Sequence, residues 1–88
     1  MLTVTKNACE FADQRLTEAG APEGTLVRID LDKDGKGQML LAQELGGDSK
    51  HEHDGKTVLA VSHQAGEQFA GKTLDIENTE KGPILVLK

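Results

Sequence analysis

Residues 25–45 read TLVRIDLDKDGKGQMLLAQEL, and the period of this stretch sets the fold class. Leu26, Arg28, Asp30 and Asp32 fall on one side of an alternating pattern, with Val27, Ile29 and Leu31 on the other. Apolar and polar residues alternating in this way describe a half-buried β-strand. Lys33 to Gly37 is a turn dense in Asp and Gly, residue types that bend the chain through local hydrogen bonds and positive φ. Gln38 to Leu45 reads as the returning strand, so the segment predicts an antiparallel hairpin.

Upstream of the hairpin, Leu2 to Val4 suggests a short first strand. Thr5 is placed to cap a helix, and Ala8, Phe11, Ala12, Leu16 and Ala19 recur at three- and four-residue spacing along one apolar stripe. Gly20 and Pro22 end that helix near residue 19. Downstream, residues 46–54 are polar and predict a loop or weak strand. Asp54-Gly55 is a turn signal ahead of an apolar β-type run from Lys56 to Val61. Ser62 is expected to cap a short helix over residues 63–70, stopped by Gly71, and Thr73 to Asn78 and Ile84 to Leu87 predict the last two strands. The elements define a mainly β domain with flanking helices, an α+β arrangement folded as a small mixed-sheet sandwich or pseudobarrel. Phe11, Leu16, Val27, Ile29, Leu59, Val61, Phe69, Leu74 and Ile76 are the expected core.

Eighty-eight residues are enough for one domain, taken as residues 1–88. Leu, Ile, Val and Phe make up 21 of the 88 residues, enough apolar side chain to drive folding. With two Phe and no Trp or Tyr, that core is aliphatic. A net charge of −5 disfavours nucleic acid and anionic membranes as partners. No apolar run is long enough to span a bilayer, and no basic segment precedes an apolar one as a signal peptide requires. The single cysteine, Cys9, excludes an internal disulfide framework and a cysteine-rich metal site, which fits a reduced, cytoplasmic compartment.

Several stretches resemble the HesB-like, A-type iron–sulfur carrier family. They are Leu2-Thr3-Val4-Thr5 before the helix, Gly20-Ala21-Pro22-Glu23-Gly24, and Leu26-Val27-Arg28-Ile29. In the second half, Val58 to Val61, Phe69-Ala70-Gly71-Lys72-Thr73-Leu74-Asp75-Ile76 and Gly82-Pro83-Ile84 are similar to that family's later strands and turns. The resemblance covers nearly the whole chain and implies a HesB-like domain. It also implies three cluster-binding cysteines, one in a Gly-rich loop after the second strand and two in a C-terminal Cys-x-Cys tail. Thiolates are the soft anionic ligands that such a cluster requires. The loop here reads Asp32-Lys33-Asp34-Gly35-Lys36-Gly37, with glycines but no cysteine, and Lys88 stands where the tail is expected to begin. Cys9 matches none of the family's ligand positions.

Three other groups of residues have chemistry worth testing. Asp30, Asp32, Asp34 and Gly35 fit four positions of an EF-hand loop, but Gly37 and Leu41 occupy places that need an aliphatic residue and a bidentate Glu. A solvated hairpin turn is the expectation. His51 and His53 are two apart, so on a strand they would share a face and, with Asp48, Glu52 or Asp54, offer a metal site. His63 lies ten residues beyond His53. Cys9, on or beside the apolar stripe, is expected to be a buried, inert thiol. No set of residues describes an enzyme active site. The sequence therefore predicts a non-enzymatic HesB-like domain without cluster cysteines or a resident cofactor, acting through protein partners. A carrier of metal on His51 and His53 is the alternative.

Overall fold

The computed structural model describes residues 2–88. Strand β1 (Thr3–Val4) leads into helix α1 (Lys6–Glu18) through Thr5, whose extended backbone leaves its hydroxyl free to accept the Ala8 N–H at 3.1 Å. That bond satisfies one of the four donors a helix start leaves unpaired. The same hydroxyl donates to Asp75 at 2.8 Å, fastening the helix start to a strand seventy residues away. Ala8, Cys9, Phe11, Ala12 and Leu16 form the buried stripe of α1, as their spacing predicts.

Strands β2 (Thr25–Leu31) and β3 (Gly37–Gln43) form the expected hairpin, in register from Thr25 opposite Gln43 to Leu31 opposite Gly37. Strands β4 (Ser49–His53) and β5 (Lys56–Val61) form a second hairpin, closed by Asp54 and Gly55, both at positive φ (52° and 78°). Two positive φ values at the centre of a two-residue turn match the right-handed twist of the flanking strands, and Asp-Gly is a pair that tolerates them. Helix α2 (His63–Gln68), capped by Ser62, precedes the hairpin of β6 (Thr73–Thr79) and β7 (Gly82–Leu87).

The strands build two mixed sheets, one ordered β3-β2-β5-β4 and the other β1-β6-β7. Parallel pairing of β2 with β5 and of β1 with β6 ties distant segments together. Helix α1 packs against both sheets, and Ala8, Ala12, Val27, Val58, Leu59 and Ala65 are fully buried in the core between them.

The structure decides or corrects the sequence reading in three places. Residues 49–53, read as a loop or weak strand, form a strand with a register shift between His51 and Glu52, because β5 offers a free backbone ladder that the polar sequence Ser-Lys-His-Glu-His can still fill. Leu26 is buried although it alternates with Val27, so both faces of β2 are covered at that end of the strand, whereas Arg28 and Asp30 farther along are half-buried. Phe69 and Ile76, expected in the core, are half-buried, Phe69 packing against the core from its edge beside Gly37 of β3. The other seven expected core residues are buried. Among the described residues no helix is long and apolar enough to cross a membrane.

Candidate functional site

The turn between β2 and β3 is where the family resemblance puts a ligand, and its conformation is set by Asp32. The Asp32 carboxylate accepts the N–H groups of Asp34 at 2.8 Å and Lys36 at 3.0 Å. The Asp32 N–H donates to the Lys36 carbonyl at 2.7 Å, and Gly35, at φ 79°, completes the reversal. Asx-type bonding of this sort replaces the backbone bonds a turn lacks. Asp30, the first residue of the EF-hand-like series, does not point into the turn. It accepts from Ser62 Oγ at 2.8 Å, from the Leu31 N–H at 2.8 Å and from Arg28 at 2.6 Å. The hydroxyl, the amide and the guanidinium hold its carboxyl below the usual carboxylate range. Two of the three aspartates are thus engaged in shaping the hairpin, and a calcium loop needs such oxygens converging on one point.

Arg28 organises the most developed polar cluster. Its guanidinium grips Asp48 through two donors, at 2.7 and 3.2 Å, while a third reaches Asp30. Side-chain exposure is only 16% for Arg28 and 5% for Asp48, so the pair is largely removed from water. Ser62 extends the cluster to the start of α2, its oxygen accepting the Ala65 N–H at 3.1 Å. Sequence reasoning missed this cluster. The visible signal was Arg28 beside Asp30 on one side of β2, but Asp48 sits twenty residues away in a segment read as a loop or weak strand.

Cys9 is buried in α1 at 6% exposure, and burial pushes its thiol pKa up. A protonated, enclosed thiol is a poor nucleophile and a poor metal ligand. The histidines separate. His51 lies half-buried in β4 and lines a cleft of about 260 Å³ together with Leu2, Ser49, Val61, Ser62 and His63. Burial lowers the His51 pKa. His53 does not line that cleft; its Nε2 is 3.9 Å from Asp13 of α1 and 3.5 Å from Asp54, and Lys56 reaches the same Asp13 at 2.9 Å. His63 is exposed on α2, paired with Glu67 at 2.9 Å. The cleft therefore brings together His51 and His63. Among the described residues, no group of three or more His, Cys, Asp or Glu is arranged to hold a metal ion.

No family model matches the sequence, and no curated protein matches it. Solved structures do match. The chain aligns with SufA of Escherichia coli, a protein involved in biosynthesis of iron–sulfur clusters, at a TM-score of 0.72 and 22% identity, covering 99% of this chain and 83% of that one. It aligns with IscA, solved with a [2Fe-2S] cluster, at a TM-score of 0.58 and 20% identity, covering 100% and 84%. The architecture expected from the HesB-like resemblance is the one these structures share with this chain.

The side chains at the β2–β3 turn do not suit an iron–sulfur cluster. Asp32 is engaged with backbone amides, Asp34, Lys33 and Lys36 are hard oxygen or cationic groups, and Cys9 is enclosed in α1. A cluster of that type is held mostly by thiolates.

Proposed function

We propose that this chain is a HesB-like scaffold that does not ligate an iron–sulfur cluster at the β2–β3 turn and acts through contacts with other proteins. The observation that supports this reading is the turn itself, whose conformation is set by Asx-type bonds to the Asp32 carboxylate and which offers no thiolate. SufA, involved in biosynthesis of iron–sulfur clusters, and IscA, solved with such a cluster, share the fold and supply the context in which such a scaffold would work. The reading includes no resident cofactor and no catalytic step. A net charge of −5 argues against nucleic acid and anionic membrane as partners, and the lone reduced thiol suits the cytoplasm.

Anaerobic incubation of the full chain with iron and sulfide tests it. After desalting, no visible thiolate-to-iron absorption should remain, and Cys9→Ser should behave like the parent. A stoichiometric cluster that survives desalting overturns the proposal.

A further inference from the structure

Four strands border the two sheets, and three of them are guarded against further pairing. Strand β1 has only two residues, β4 is Ser-Lys-His-Glu-His, and β7 carries Pro83. Short length, charge and proline are the usual devices that stop a sheet edge from adding another strand. Strand β3 has none of them. Its seven residues, Gly-Gln-Met-Leu-Leu-Ala-Gln, contain no charge and no proline. Met39, Leu40 and Leu41 are exposed by 47%, 42% and 52%, a contiguous apolar run on an open edge.

The hydrogen-bond phase of this edge is fixed. The Asp32 N–H bonds to the Lys36 carbonyl. Alternation along an antiparallel ladder then turns the backbone groups of Gln38, Leu40 and Ala42 toward β2. Those of Gly37, Met39, Leu41 and Gln43 face outward. A strand added here has to bond to these four residues. If that strand is β3 of a second copy, related by a two-fold axis through Leu40, Met39 meets Leu41 and Gly37 meets Gln43. Outward-facing groups then face one another at every pairing. The same register sets Lys36 of one copy opposite Glu44 of the other at both ends. Sliding by one step in either direction that preserves the phase instead puts Asp34 against Glu44, or leaves Glu44 opposite Gln38.

We propose that β3 is a homodimer interface, in which two copies pair antiparallel about Leu40 to make a continuous eight-stranded sheet. The contact is isologous and closes on itself, so it consumes the open edge and yields a dimer without further growth. Leu40 packs on Leu40 across the axis on one face, and two Met39–Leu41 pairs do so on the other. The pairing does not depend on the proposed function, because neither Cys9 nor the Asp32 turn takes part.

Sedimentation of the full chain from micromolar to hundreds of micromolar tests this. The parent should sediment as a dimer. Leu40→Lys, which sets two ammonium groups against each other on the axis, should weaken association by at least about tenfold, with the far-UV circular dichroism spectrum unchanged. Lys36→Glu or Glu44→Lys alone should weaken it, and the two together should restore it. Leu40→Cys should cross-link on mild oxidation, whereas Gln43→Cys should not, since it lies ~20 Å from its own counterpart in this register. A chain that stays monomeric throughout the range overturns the proposal. So does a dimer indifferent to Leu40→Lys, or one that Ile84→Lys on β7 disrupts instead.

Discussion

Arg28 draws two carboxylates, Asp30 and Asp48, onto one guanidinium. Removing one member of such a pair leaves a charge with neither water nor partner, which costs more than the intact pair contributes. Arg28→Ala should therefore destabilise the fold by about 3 kcal/mol in urea unfolding. Asp48→Asn, which keeps the shape and one acceptor, should cost less than that. A loss under about 1 kcal/mol for Arg28→Ala would mean that water reaches Asp48 and replaces the guanidinium. His51 gives a pH-dependent test at the same scale. Burial lowers its pKa, so the unfolded chain binds a proton at the ordinary value of about 6.5 while the folded chain binds one only at lower pH. Its contribution to stability is present above the unfolded value and is lost as pH falls through the folded one. Urea midpoints should decline from pH 7.5 toward pH 5, and His51→Gln should flatten part of that decline. An identical slope in the variant would assign the loss to other groups.

Among the elements, α1 is the one that the two sheets share. Phe11 sits on its flank at 4% exposure, beside Ile76 and Pro83 of the small sheet, with the Arg15 guanidinium 5.0 Å from its ring centroid. Phe11→Ala should cost about 3 kcal/mol, the low end for buried aromatic truncation, because a site near the surface can collapse partly around the gap. A cost below about 1 kcal/mol would show that β6 and β7 do not depend on this contact. The helix itself was legible in sequence because its stripe, Thr5 cap and Gly20 stop all act within a few residues. The hairpin at residues 25–45 was legible for the same reason, since its turn signal is local. Strand β4 was legible only as loop or weak strand, since its stability comes from backbone pairing with β5 and leaves no apolar period behind. Nor could sequence show that Arg28 finds Asp48, or that His51 shares a cleft with His63 and not with His53. These are long-range meetings decided by sheet order, which local spacing does not encode. The turn at Asp32 lies between these cases: its lack of a thiol was plain, but the direction of its carboxylates was not.

For the whole molecule, the parallel pairs β1–β6 and β2–β5 join the first third of the chain to the last and to the middle, and α1 bridges both sheets. Residues of α1 and of both sheets share one buried cluster, so the two sheets should unfold together. Leu59→Ala lies in the four-stranded sheet and Leu74→Ala in the three-stranded one, and both residues belong to one buried cluster. Each substitution should lower the stability of the entire domain by about 2–5 kcal/mol. Each should also reduce amide-exchange protection equally in β5 and β6, because protection in a cooperative unit follows global unfolding. Calorimetry of the parent should give a single transition with an enthalpy of about 60 kcal/mol, the value expected for a chain of this length. Two resolved transitions, or a loss of protection in β6 that leaves β5 untouched when Leu74 is truncated, would show that the small sheet is a separable unit and that α1 belongs energetically to the large sheet alone.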